Sequence, residues 1–98
     1  MIAIPEHRLD ALLHRHALVE RELATDLKPE DYVKLSREFS DLTPVIDTIK
    51  EYRAVVSELA DLETMMADQD ADMRRMAEAE KPALQEKREQ IEKKIRLA

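Results

Sequence analysis

The side chains in this sequence with chemistry to offer are three histidines, a run of alternating aspartates and four clustered methionines. His7, His14 and His16 raise the question of a metal site. Two ligands on one helix must lie three or four residues apart to share a face. His14 and His16 are two apart, and His7 and His14 are seven apart. Neither pair chelates well, so packing or surface roles are preferred and no metal is expected. His16 is the most suited to the edge of a core.

Asp68, Asp70 and Asp72 reproduce the opening of an EF-hand calcium loop. The rest of that motif fails: Met73 stands where glycine is needed for the turn, and Ala79 where a bidentate glutamate is needed. From Ala54 to Met73 there is no basic residue, while Glu58, Asp61, Glu63, Asp68, Asp70 and Asp72 are acidic. A solvated face with helix caps is the simpler reading of this stretch. The functional alternative is a docking patch for a basic protein, with Asp68, Asp70 and Asp72 as its partner-binding residues. Met65, Met66, Met73 and Met76 surround the same turn and are expected to fill its core, although Met-rich surfaces also serve as adaptable binding sites.

Catalysis finds little support. Glycine is absent, which excludes Gly-rich phosphate loops, dinucleotide fingerprints and nucleophile elbows. Cysteine is absent, so there is no disulfide and no thiolate metal site. Ser36, Ser40 and Ser57 have no histidine near them in sequence. The reading is of a protein that is not an enzyme and takes no cofactor.

The 98 residues suit one small domain, or a fragment of a larger protein. Charged residues are 39% and aromatics only 3%, a mixture that fits amphipathic helices with wide solvated faces. Residues 1–72 carry 8 basic and 17 acidic side chains, whereas residues 73–98 carry 8 basic and 5 acidic. The acidic bulk is a poor match for phosphate backbones and a better one for a basic protein, so DNA is not expected as a partner. No stretch is long and apolar enough to span a membrane, and the start of the chain does not read as a secretion signal. The cytoplasm is the expected compartment.

Three helices account for the hydrophobic pattern. The first is placed at about residues 5–24, opening at Pro5, with Leu9, Leu12, His16, Val19 and Leu23 on one face. The second is placed at 29–68, with its stripe at Leu35, Phe39, Leu42, Ile46, Ile49, Tyr52, Val56, Leu59 and Met66. Pro44 lies mid-stripe. Either the helix kinks there or two helices meet there; the unbroken stripe favours the kink. The third is placed at 72–97, capped by Asp70 or Asp72, with a weaker stripe of Met73, Met76, Ala77, Leu84, Ile91 and Ile95; Pro82 poses the same question. The fold class is all-α, an elongated antiparallel three-helix bundle of coiled-coil-like character, with no internal boundary marked by composition.

Three stretches carry a family resemblance. They are Leu9-Asp-Ala-Leu-Leu-His-Arg-His16, then Lys34-Leu-Ser-Arg-Glu-Phe-Ser-Asp-Leu-Thr-Pro-Val-Ile46 followed by Tyr52-Arg53, and Asp72-Met-Arg-Arg-Met-Ala77. In order and spacing they resemble the amino-terminal domain of bacterial class-one peptide chain release factors, nearest the branch that reads UAA and UAG. The resemblance implies a non-catalytic helical domain that reaches the base of the ribosomal stalk, near its ribosomal protein and the adjacent ribosomal RNA. It also implies contact with the glutamine methyltransferase that modifies release factors, and coupling to the GTPase release factor. The Gly-Gly-Gln and Pro-x-Thr motifs of such factors are absent from the chain, which therefore looks like one domain of a multidomain protein. A free-standing helical adaptor or chaperone is the alternative.

Overall fold

The computed structural model describes residues 4–97; Ala98 and Met1 to Ala3, part of the opening stretch read above against a secretion signal, lie outside the described residues. Three helices and no strand are found among the described residues: α1 (Glu6–Leu23), α2 (Pro29–Met66) and α3 (Ala71–Leu97). The all-α reading holds.

A chain without glycine must end its helices without the left-handed residue that usually closes them. No described residue has a positive φ. Instead, α1 closes through Ala24 at φ −85° and ψ 0°, with the amides of Ala24 and Thr25 turning back to the carbonyls of Arg21 and Glu22 at 3.2 and 3.0 Å. The Thr25 hydroxyl donates to the Glu22 carbonyl as well, at 2.6 Å. At the end of α2, Ala67 and Asp68 donate to Thr64 and Met65 at 3.2 and 3.1 Å. These are three-residue bonds that tighten a last turn and satisfy its carbonyls.

The starts differ among themselves. Pro5 is the cap of α1 and not its first helical residue, because its ψ of 127° is extended; its carbonyl accepts from Arg8 and Leu9. The Lys28 carbonyl accepts the first bond of α2, from Tyr32, which puts Pro29 where a missing N–H costs nothing. Asp70 caps α3. Its carbonyl accepts from Arg74 at 3.2 Å and its carboxylate from the Asp72 amide at 2.9 Å.

α2 runs unbroken through Pro44, and α3 through Pro82. Each proline deprives a helical carbonyl of its donor, and both rings face solvent, where water can supply one. Threonines flank the first of these gaps: Thr43 donates to the Phe39 carbonyl at 2.7 Å and Thr48 to the Pro44 carbonyl at 2.9 Å.

The chain forms two compact units, residues 1–49 and 50–98. The first holds α1 and the opening part of α2, with Ile4, Leu9, Val19, Ile46 and Ile49 buried. The second holds the rest of α2 and α3, with Tyr52, Val55, Leu59, Leu62, Ala77, Ile91 and Ile95 buried. Two expectations are corrected here. Val56 is exposed while Val55 and Leu62 are inside, because the buried face of α2 runs Tyr52, Val55, Leu59, Leu62 in steps of three and four and leaves Val56 about 100° off it. Met76 is 55% exposed and Ala77 fully buried, for the same reason on α3. Met65, Met66 and Met73 are half-buried beside the turn.

Ile49 has no exposed surface. Ile49→Asp is expected to destabilise the fold by more than about 3 kcal/mol, since a carboxylate there has neither water nor a counter-charge. Thermal unfolding followed by circular dichroism checks this, and an unchanged midpoint overturns the packing described.

Candidate interaction surfaces

Two exposed clusters of polar side chains among the described residues have a defined geometry, one in each unit. In the first unit, Arg15 on α1 grips Glu38 on α2 with two parallel bonds, Nε to Oε1 at 2.7 Å and Nη2 to Oε2 at 2.6 Å. The fork-to-fork geometry fixes the register of the two helices. Both side chains keep substantial exposure, 45% and 35%, so water screens the pair and its contribution is more positional than energetic. The bond to Arg15 holds the Glu38 carboxyl below the ordinary glutamate range, and the bond to Glu38, with Glu22 nearby, raises Arg15.

Beside this pair lies His16, half-buried, stacked on Phe39 with ring centres 4.6 Å apart and planes 18° from parallel. Its Nε2 is 3.0 Å from the Thr43 hydroxyl oxygen. That hydroxyl already donates its hydrogen to the Phe39 carbonyl. The oxygen is therefore left to accept, which places a proton on His16 Nε2. His16 is a packing and hydrogen-bonding residue of the α1–α2 contact, while His7 and His14 are exposed. Among the described residues no group of three or more His, Cys, Asp or Glu is arranged to hold a metal.

In the second unit, the sequence-predicted residues Asp68, Asp70 and Asp72 are all exposed and lie on or beside the turn between α2 and α3. Their carboxylates have structural work. Asp68 accepts from the Asp70 amide at 2.8 Å, Asp70 caps α3, and Asp72 pairs with Arg75. Arg74 donates to the carbonyls of Asp68 and Gln69 at 2.7 and 3.0 Å. The turn is thus an acidic loop with two arginines laid against it. Lys81 and Glu63 at 2.5 Å tie α3 to α2 nearby.

Comparison with known proteins now bears on these surfaces. The PCRF domain model matches residues 12–98, most of the chain. The chain belongs to the PCRF domain family. A peptide chain release factor 1 of Bartonella tribocorum is 36% identical to it over 99 residues, covering 99% of this chain and 28% of that protein. The chain thus spans about 28% of the length of this curated relative. No solved structure matches. The polar side chains of both surfaces, from Arg15 to Lys81, fall within the matched residues. No helix of the described residues is long and apolar enough to cross a membrane.

The Arg15–Glu38 pairing had no sequence signal, since 23 residues separate the two. Because Glu38 is held charged by the folded state, its stabilising effect is present above the ordinary glutamate range and is lost as pH falls through its lowered pKa. Glu38→Gln is expected to lower the melting point modestly at neutral pH and to leave it unchanged at the acid end, so that this part of the acid-unfolding curve flattens. Melting curves from pH 7 to 3 test it, and identical acid limbs would contradict the linkage.

Proposed function

We propose that this PCRF domain is the ribosome-docking, non-catalytic domain of a peptide chain release factor that directs termination at UAA and UAG in the cytoplasm. Its 36% identity, across nearly its whole length, to a release factor 1 carries this reading. The composition is compatible with it: an acidic, glycine-free helical domain offers charged faces to a basic ribosomal protein. In this reading residues 1–98 act as a single domain of a larger multidomain factor. The domain reaches the stalk base, between its ribosomal protein and the adjacent ribosomal RNA. The glutamine methyltransferase and the GTPase release factor are its further partners.

Within the domain, Asp68, Asp70 and Asp72 form the contact to the basic stalk-base protein. One oxygen of Asp68 and one of Asp70 are spent on the turn, which holds the remaining oxygens outward. Rigidity of this kind lowers the ordering cost of association.

Two measurements test the proposal. A protein carrying this domain ahead of decoding and Gly-Gly-Gln domains is expected to release peptide from ribosomes programmed with UAA or UAG and not with UGA; release at UGA, or none at all, overturns it. Replacing Asp68, Asp70 and Asp72 together by Lys is expected to weaken ribosome association at low salt by about tenfold or more, as three reversed charges act over less than a Debye length. Undiminished association of a correctly folded variant removes the turn from the interface.

A further inference from the structure

We propose that the groove between the later part of α1 and the first turns of α2 is a second docking site, one that takes a lysine- or arginine-bearing segment of a protein partner. It lies in the first unit, away in sequence from the acidic turn, and goes beyond the reading above. The groove is an open depression of about 590 Å³.

Its lining has three parts. Leu27 and Leu35 supply apolar surface and are both half-buried, so part of each remains open to the groove. Arg15 and Glu38 form one wall, and their paired bonds consume each other's charge and hold that wall still. Glu22 and Asp31 also line it, one from each helix; no hydrogen bond or close ion pair engages either carboxylate among the described residues, and Glu22 acts on Arg15 only through space. Asp31 stands in the first turn of α2.

These parts select an occupant. An apolar surface beside free carboxylates suits a side chain with a long methylene stem and a cationic head, which lies along leucine and presents its charge at the rim. Lys34 is the one cation of the lining not engaged with Glu38, and two carboxylates oppose it. The surroundings agree in sign: residues 1–49 carry six basic and ten acidic side chains. A phosphate or a nucleic acid would meet net repulsion there, whereas a basic segment is steered in.

The test uses the whole 98-residue chain, isotopically labelled, and an acetylated and amidated lysine–serine peptide at low ionic strength. Saturable amide shifts are expected at Glu22, Leu27, Asp31 and Leu35, and a glutamate–serine peptide should leave them in place. The Glu22→Gln, Asp31→Asn double variant, with unchanged helicity, is expected to bind the lysine peptide about fivefold or more weakly, while Asp68→Asn binds at this groove as before. Absence of saturable shifts, shifts centred on residues 68–72 or spread over every acidic face, equal affinity in the double variant, or a stronger response to an oligoribonucleotide each overturns the proposal.

Discussion

Burial of one apolar face of α2 is the interaction on which the rest depends. Ile46, Ile49, Tyr52, Val55, Leu59 and Leu62 are all inside, at steps of three and four along a single helix of 38 residues. Apolar area of that extent cannot stay in water, and a lone helix has nothing to cover it with. Both compact units draw on this helix: α1 lies against its opening turns through Arg15 and His16, and α3 is tied to its later turns through Lys81 and Glu63. Continuity of α2 through Pro44 follows from the same demand. A break there would have to re-aim a stripe that is already placed, and this outweighs the roughly 3 kcal/mol that an interior proline costs.

The absence of glycine shapes how the polar residues are used. Helix ends that would otherwise turn through a left-handed residue are closed by short amide bonds and by Thr25, and the turn before α3 is built by aspartate side chains. The acidic turn therefore has a folding role whatever it binds. A partner meeting Asp68, Asp70 and Asp72 meets groups already held by the backbone, with Arg74 and Arg75 bound among them. The carboxylates of Glu22 and Asp31 differ in this respect, Glu22 acting on Arg15 only through space. No described bond engages them, and that is what makes the α1–α2 groove a place for an external cation.

Family membership and geometry bear on different questions. Similarity over nearly the whole chain shows the domain family, while the geometry says which side chains are held by hydrogen bonds and ion pairs. Neither surface holds a constellation suited to catalysis. Stacking of His16 on Phe39, with its Nε2 proton given to Thr43, accounts for the histidine that most invited a chemical role.

Three helices, their approximate ends, a cap at Asp70 or Asp72 and the buried character of Leu9, Val19, Ile46, Ile49 and Ile95 were all legible in the sequence, because apolar spacing and cap chemistry act over one or two turns. The family resemblance was legible for a similar reason, as it rests on short ordered strings. What only the tertiary structure decided are choices between neighbours and pairings across long separations. Val55 over Val56 and Ala77 over Met76 depend on a rotation of the helix of about 100°, which only the opposing surface sets. Arg15 with Glu38, and His16 with Phe39 and Thr43, join residues 23 to 27 apart, whose meeting depends on how the connection closes and not on any local preference. The groove is of the same kind: its carboxylates, 9 residues apart in sequence at positions 22 and 31, become one feature only when the two helices pack.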